Sequence, residues 1–392
     1  MAGLRVRYLY LGEGEFLAPA EVRWDGAGRI VSLRRARGTS AVADVVLMPG
    51  LVNAHVHLQL APLAHKPRSF QAWLSAVMAA RAGVRASDYR SQARRSLQQL
   101  LAEGATAVGE IDSTGQSPSV LRRLPVAGRC YQEVTGFDVR GRQARVLVGQ
   151  RHLAGSPRCP AGLSPHAPYS VSAGVLRAAR ARHRALAIHT AEVPEEQQFL
   201  RTGRGPFAEL LESLGRMPAD FVPPGVGAVR HLERIGLLRS GTQLVHCQEL
   251  ERGDAARIAA GGAAVTVCPG TIEYFGRKPP PVGRWVAAGI PVGLGTDSIA
   301  SNQRLSMARE LALAARFWPS LSPTTLLAMA TRHGATALHR PGLGKISRGG
   351  AADFFSITAG SADPGRILEE FVHGDRRVAQ TWLRGRRVAQ RR

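Results

Sequence analysis

The sequence predicts an α/β fold, a (β/α)₈ TIM-like barrel with a small β-sandwich domain built from both chain termini. Three observations predict it. Eight short, apolar, β-rich runs alternate with amphipathic stretches, the order of a parallel sheet with crossover helices. The two ends instead carry runs that alternate or cluster like antiparallel strands. The 392 residues suffice for one barrel and an appendage, and neither a fixed repeat nor a low-complexity linker interrupts them.

In chain order, Leu4–Leu11, Glu21–Trp24 and Arg29–Leu33 read as terminal strands. Val45–Ala54 reads as the first buried barrel strand. Thr106–Ile111, Arg129–Val134, Ala161–Ser164, Ala185–His189, Gln243–His246, Ala263–Val267 and Pro291–Gly295 supply the other seven. Between them Ser87–Ala102, Ala173–Arg184, Pro206–Leu214, Arg252–Ala260 and Arg304–Phe317 read as amphipathic helices. Asp353–Ile357 and Val378–Arg384 then return the chain to the terminal strands. The implied domains are 1–48 with 342–392 for the composite β-sandwich and 49–341 for the barrel.

A composition 44% hydrophobic and 21% charged is that of a folded protein and excludes general disorder. Cys130, Cys159, Cys247 and Cys268 lack C-x-x-C spacing, which argues against a disulfide framework or thiolate zinc knuckle and fits a reducing compartment. Met1–Gly12 lacks the apolar stretch of a signal peptide, and nowhere do about eighteen apolar residues run together. The expected location is cytoplasmic, with no membrane partner. A net charge of +23 raises nucleic acid as a partner. All the basic residues but Lys66, Lys278 and Lys345 are arginine, however, spread along the chain without lysine patches or recognition motifs. The reading is compositional bias, with no specific nucleic-acid partner. The densest cluster, Arg384, Arg386, Arg387, Arg391 and Arg392, reads as a solvated terminus.

Chemistry concentrates at strand ends. His55 and His57 are two apart, so on an extended segment both imidazoles point the same way and can bind one metal at the active-site mouth of a barrel. His189 and His246 end two further apolar runs, and Asp297 follows the last. Five ligand-type residues at the ends of strands one, five, six and eight make one site rather than scattered core histidines. Three neutral imidazoles and a carboxylate suit one divalent metal per chain, Zn²⁺ as first choice and Fe²⁺ as second, with a position open for water. His246 is either the third imidazole or a group behind the ligands. Glu192, three residues after His189, lies within reach of a water or substrate ring nitrogen for proton exchange, and Asp297 can orient the water through its other oxygen. No lysine lies between Lys66 and Lys278, so strand four offers none to bridge two metals, and the site is expected to be mononuclear.

Together Pro49 to His57, Ser164-Pro-His166-Ala-Pro-Tyr169, His189-Thr-Ala-Glu192, Val245-His246 and Gly295-Thr-Asp297-Ser298 resemble the amidohydrolase superfamily over nearly the whole chain. The resemblance is to its mononuclear aminohydrolases, which include cytosine, guanine, S-adenosylhomocysteine and aminodeoxyfutalosine deaminases and the triazine chlorohydrolases. It implies His55, His57, His189 and Asp297 as metal ligands, Glu192 and His246 in proton transfer, and His166 against the substrate. Cys268-Pro269 with Tyr274-Phe275-Gly276, and Thr296 to Asn302, are similar to the aminodeoxyfutalosine deaminase-like subgroup. Two positions depart from it, Gln59 in place of a glutamate and Gly270 in place of an arginine.

The leading reading is a hydrolytic deaminase of an amino-substituted N-heterocycle, with aminodeoxyfutalosine or a related 6-aminopurine nucleoside as the small-molecule substrate. Water adds to the carbon bearing the amine, Glu192 protonates the adjacent ring nitrogen, and ammonia leaves. Alternatives are a chlorohydrolase or cyclic-amide hydrolase and, in other classes, a non-catalytic barrel or a nucleic-acid binder. Arg68 after strand one and Arg277 after strand seven are the arginines expected to meet a remote substrate carboxylate. A homo-oligomer is the one macromolecular partner the sequence leaves open.

Overall fold

The computed structural model describes residues 1–37, 41–67, 69–149, 155–360 and 363–388. Eight parallel strands form the central sheet in chain order: Leu51–Val56, Ala105–Asp112, Ala127–Val134, Ala161–Pro165, Leu186–Thr190, Thr242–His246, Ala264–Val267 and Val292–Leu294. We number them barrel strands one to eight. A parallel bridge between Val56 and Asp297 brings the ends together, with the Asp297 amide donating to His55 O at 3.1 Å. Asn53 reinforces the seam from inside, donating through Nδ2 to Thr296 Oγ1 at 2.8 Å and accepting from the Thr296 amide at 3.1 Å.

The predicted first strand is two strands. Ala43–Pro49 belongs to the terminal sheet, and only Leu51–Val56 joins the barrel. Gly50 is the pivot. Its amide donates to Asp353 O in the terminal sheet, while the next amide, of Leu51, donates to Gly104 O beside the barrel. A Cβ at Gly50 would lie 1.9 Å from Thr106 Oγ1, so only glycine passes here. An uninterrupted apolar run hides such a change of sheet, because both halves are buried.

Residues from both ends build the second, eight-stranded sheet. It is mostly antiparallel, but Ala2–Gly12 pairs with Ala43–Pro49 in parallel, a pair the antiparallel expectation did not contain. Trp24 and Phe354 stand three strands apart in the sheet order, yet their rings lie 5.5 Å apart. The sheet therefore curls over its own core, made of residues such as Val6, Leu9, Val22, Ile30 and Trp382. Arg384 is tied into this domain, its amide donating to Asp353 Oδ1 at 2.8 Å and its Nε to Ala27 O at 2.8 Å. It is thus not part of a free tail; Arg391 and Arg392 lie outside the described residues.

Helices cover the outside of the barrel, and several short ones go beyond those predicted. The most consequential is Phe70–Ala80, capped by Ser69, whose Oγ accepts from the Ala72 amide. It follows barrel strand one directly and lies across the active-site end. Trp73 Nε1 donates to Ala300 O at 2.8 Å, beyond strand eight, and Phe70 packs against Phe207 and Phe275. Among the described residues no helix is long and apolar enough to cross a membrane.

Candidate active site

The C-terminal ends of the barrel strands converge on one cluster of ligand-type side chains. Strand one delivers His55 and His57, strand five His189, strand six His246, and the turn after strand eight Asp297. Ligand atoms of His55, His189 and His246 lie within 4.8 Å of one another, as do those of His55, His57 and Asp297. His246 and Asp297 have φ of 71° and 54°, and Ala191 and Cys247 have φ of 51°. Left-handed backbone costs about 1–2 kcal/mol for a non-glycine residue. Such strain persists only where the surroundings fix it, here through the Cys247 amide on Thr190 O and the Asp297 amide on His55 O.

Burial pushes all five imidazoles of the pocket, His55, His57, His166, His189 and His246, below their ordinary values, with His166 and His189 at about 4. They are neutral, the form that ligates a metal. His189 Nδ1 lies 2.9 Å from His166 O. A carbonyl only accepts, so Nδ1 carries the proton and Nε2 offers the lone pair. His55 is fully buried, and neither ring nitrogen has a hydrogen-bond partner. Leaving buried polar atoms unpaired costs about 1–3 kcal/mol each. That orphaned imidazole, with its Nε2 3.4 Å from Asp297 Oδ1 and His57 Nε2 3.6 Å from the same oxygen, fits a divalent cation.

Burial works to raise the Asp297 carboxyl, but the His55 imidazole 3.4 Å away and the rest of the imidazole cluster hold it well below the usual range. Its Oδ2 accepts from Ser301 Oγ at 2.5 Å and from Thr271 Oγ1 at 3.2 Å. Both lone pairs of Oδ2 are thereby occupied, which leaves Oδ1 to face the imidazoles.

Glu192 lies beside this cluster, 5% exposed, with Oε2 3.8 Å from His246 Nε2 and Oε1 3.3 Å from Arg277 Nη1. Its backbone is pinned by Glu196 Oε2, which accepts from the Glu192 amide at 2.9 Å. Arg277 therefore sits at the pocket as expected, but one nitrogen meets Glu192, while its guanidinium stacks 4.4 Å from the Phe275 centroid. Its buried Nη2 has no hydrogen-bond partner. Arg68 lies outside the described residues.

His166, at the end of strand four, lines the same pocket, its Nδ1 2.6 Å from Ser170 Oγ and its Nε2 4.0 Å from Glu133 Oε1. Glu133 is a carboxylate that sequence reasoning does not single out. A signal for it exists: it stands at the end of the third strand, as His189 does at the end of the fifth. Both departures from the subgroup pattern are accounted for internally. Gln59 turns away, donating to Ile111 O at 3.0 Å and Ser113 Oγ at 3.1 Å. At Gly270 a Cβ would fall 2.2 Å from Asn302 Nδ2, so no side chain fits against that amide.

The arrangement combines a cation-ready ligand set with a separate buried carboxylate, the equipment for adding water to a polarised carbon and moving one proton. Solved structures share the fold: an aminofutalosine deaminase of Helicobacter pylori, in complex with methylthio-coformycin, superposes with a TM-score of 0.85 at 21% identity, covering 99% of this chain and 100% of that one. An adenosine deaminase of Xanthomonas campestris with bound zinc gives 0.79 at 23% identity, covering 98% and 92%. Among curated proteins, the aminodeoxyfutalosine deaminase of Deinococcus radiodurans is 30% identical over 355 residues, 83% of each chain. A 5-methylthioadenosine/S-adenosylhomocysteine deaminase of Nitratidesulfovibrio vulgaris is 28% identical, covering 81% of this chain and 72% of its own. The family model described as "Amidohydrolase family" spans residues 46–388, from the last terminal strand before the barrel through its return at the other end, and the chain belongs to that family of hydrolases.

Proposed function

We propose that the protein is a metal-dependent hydrolytic deaminase of a 6-aminopurine nucleoside, with aminodeoxyfutalosine the first substrate to test. The observation that carries the reaction class is Glu192, a buried carboxylate held beside, but outside, the cluster of side chains that could hold a metal. The substrate class is supported by the similarity, over 83% of each chain, to the Deinococcus enzyme.

His55, His57, His189 and Asp297 would hold one divalent cation, Zn²⁺ or Fe²⁺. When bound, the cation supplies Lewis acidity that makes water a nucleophile near neutral pH. Glu192 takes one proton from the attacking water and gives it to the ring nitrogen next to the carbon bearing the amine, and His246, 3.8 Å away, shares that proton's path. The water oxygen adds to that carbon, the remaining hydroxyl proton passes to the amine, the C–N bond breaks, and ammonia leaves a 6-oxopurine. His166 contacts the substrate from the strand-four side, and Arg277 binds it through Nη2 while Nη1 keeps Glu192 in place. A single cation is favoured because the other ligand-capable group, Glu133, His166 and His189, shares His189 with the first set.

The test is ammonia release by the metal-loaded protein from aminodeoxyfutalosine, 5′-methylthioadenosine, adenosine, a pterin amine and a triazine. Turnover of the nucleosides is expected. Attack on the triazine or pterin with none on any 6-aminopurine would overturn the substrate assignment, and release of chloride or opening of a cyclic amide without ammonia would overturn the reaction.

A further inference from the structure

A cavity of 550 Å³ lies apart from the active site, and neither Glu192 nor any of the metal-ligand side chains lines it. It is enclosed by residues 137–141 after strand three, the turn 168–172 after strand four, helices Ala173–Arg182 and Ala228–Ile235, and the loop 220–224. Small-molecule sites span roughly 300–1,000 Å³ and are mostly apolar, with a few placed polar groups. This cavity has the same make-up. Phe137, Val171, Leu200 and Ile235 are buried in its wall, and the Phe221 ring, 5.0 Å from that of Phe137, carries the apolar surface toward the opening. The loop over it is tied at both ends, by Arg140 Nη1 to Asp220 Oδ2 at 2.5 Å and by Arg234 Nη1, which donates to Pro224 O at 3.0 Å.

The charge at the opening is one-sided. Asp220 is the carboxylate on the wall, and Arg140 neutralises it. Arg177 and Arg234 project from the two flanking helices, both exposed, and among the described residues neither meets a carboxylate. His231 adds no charge of its own, because burial, then Arg177 and Arg234, push its imidazole down to about 4. Two guanidiniums thus stand over an apolar wall without an anion to balance them.

We propose that this cavity is a second binding site, separate from the active site, for an amphipathic organic anion. An apolar chain or ring lies against Phe137, Val171, Leu200 and Phe221, and Arg177 and Arg234 hold its carboxylate or phosphate head. The body gains affinity by leaving water, and the guanidiniums select the charge through paired N–H donors. Pro168 and Val171 flank Ser170, whose Oγ lies 2.6 Å from His166 Nδ1, so the bound anion sits behind the turn that sets His166. The proposal does not depend on the deaminase reading.

The test uses the whole protein and a fluorescent anion, anilinonaphthalene sulfonate, beside its uncharged parent, N-phenylnaphthylamine. One dye per chain should bind, and R177M/R234M should weaken it about tenfold while changing the uncharged parent by less than about twofold. R177M alone should fall between. R94M/R348M removes the same charge from exposed positions outside the cavity and should keep the wild-type affinity, with the unfolding midpoint as the control for folding. Displacement then separates head from body. Decanoate and decyl phosphate distinguish a carboxylate from a phosphate head, and displacement by either supports the site. Butyrate should need about tenfold more than decanoate, having less apolar surface to bury. Equal dye affinity in R177M/R234M and wild type, shared absence of binding included, would overturn the proposal. So would equal losses in the two double variants, displacement by neither decyl compound, or butyrate acting as well as decanoate.

Discussion

Ser301→Ala should weaken metal binding while leaving the fold intact. The Ser301 hydroxyl donates to Asp297 Oδ2 at 2.5 Å, the shorter of that oxygen's two hydrogen bonds, the other coming from Thr271 Oγ1 at 3.2 Å. Ser301 is fully buried and loses only an oxygen, so the change opens little space. A hydrogen bond to a charged group is worth about 1.5–3 kcal/mol. At about 1.4 kcal/mol per tenfold, that is roughly 10- to 150-fold in affinity. Partners standing behind metal ligands generally cost about 10- to 100-fold when removed, which agrees. Once Oδ2 is released, the carboxylate can rotate and Oδ1 is no longer held toward His55 and His57. Competition for Zn²⁺ against a chromophoric chelator measures the effect, with circular dichroism and the unfolding midpoint as controls for the fold. Thr271→Val, which removes the longer bond, should cost less. A Zn²⁺ affinity in S301A within about twofold of wild type would refute the idea that these hydroxyls aim the carboxylate.

Three further outcomes follow from the geometry. Metal analysis of the fully active protein should find one equivalent per chain, and two tightly held equivalents would contradict the single ligand set. Glu192→Gln should retain metal but lose about 10²- to 10⁴-fold in turnover, since the shape is kept while the titrating carboxyl is gone; activity within about threefold of wild type would exclude it as proton carrier. Glu196, raised to about 8 by burial, keeps its proton in the folded state where an unfolded glutamate, near 4.3, has released it. Its contribution is therefore fully present at low pH and is lost as pH rises across that window, at up to about 1.4 kcal/mol per pH unit. Urea unfolding of E196Q and wild type at pH 5 to 9 should show E196Q gaining relative stability up to about pH 8, and a difference independent of pH would contradict a buried, protonated Glu196.

Where the chemistry lies is legible in the sequence. His55, His57, His189 and Asp297 each follow a β-rich run, and in a barrel of parallel strands every strand ends on the same face, so position along the chain converts directly into convergence. The alternation of strands and helices likewise specifies the barrel, because each crossover must return the chain to the same end. What surrounds those residues is settled by long-range packing. The division of the first strand at Gly50 depends on Thr106, which leaves no room for a Cβ. The seam between Asn53 and Thr296, 243 residues apart, exists only once the sheet closes. Gln59 carries the same side chain whether it faces a substrate or Ile111, and only the packed loop turns it away. Arg277 is placed at the rim by its position after strand seven, but only closure sets it against Glu192. The physical reason is common to these cases. Ligand positions follow from local periodicity, whereas the partner of a polar side chain is set by which distant segments the barrel brings within hydrogen-bond reach.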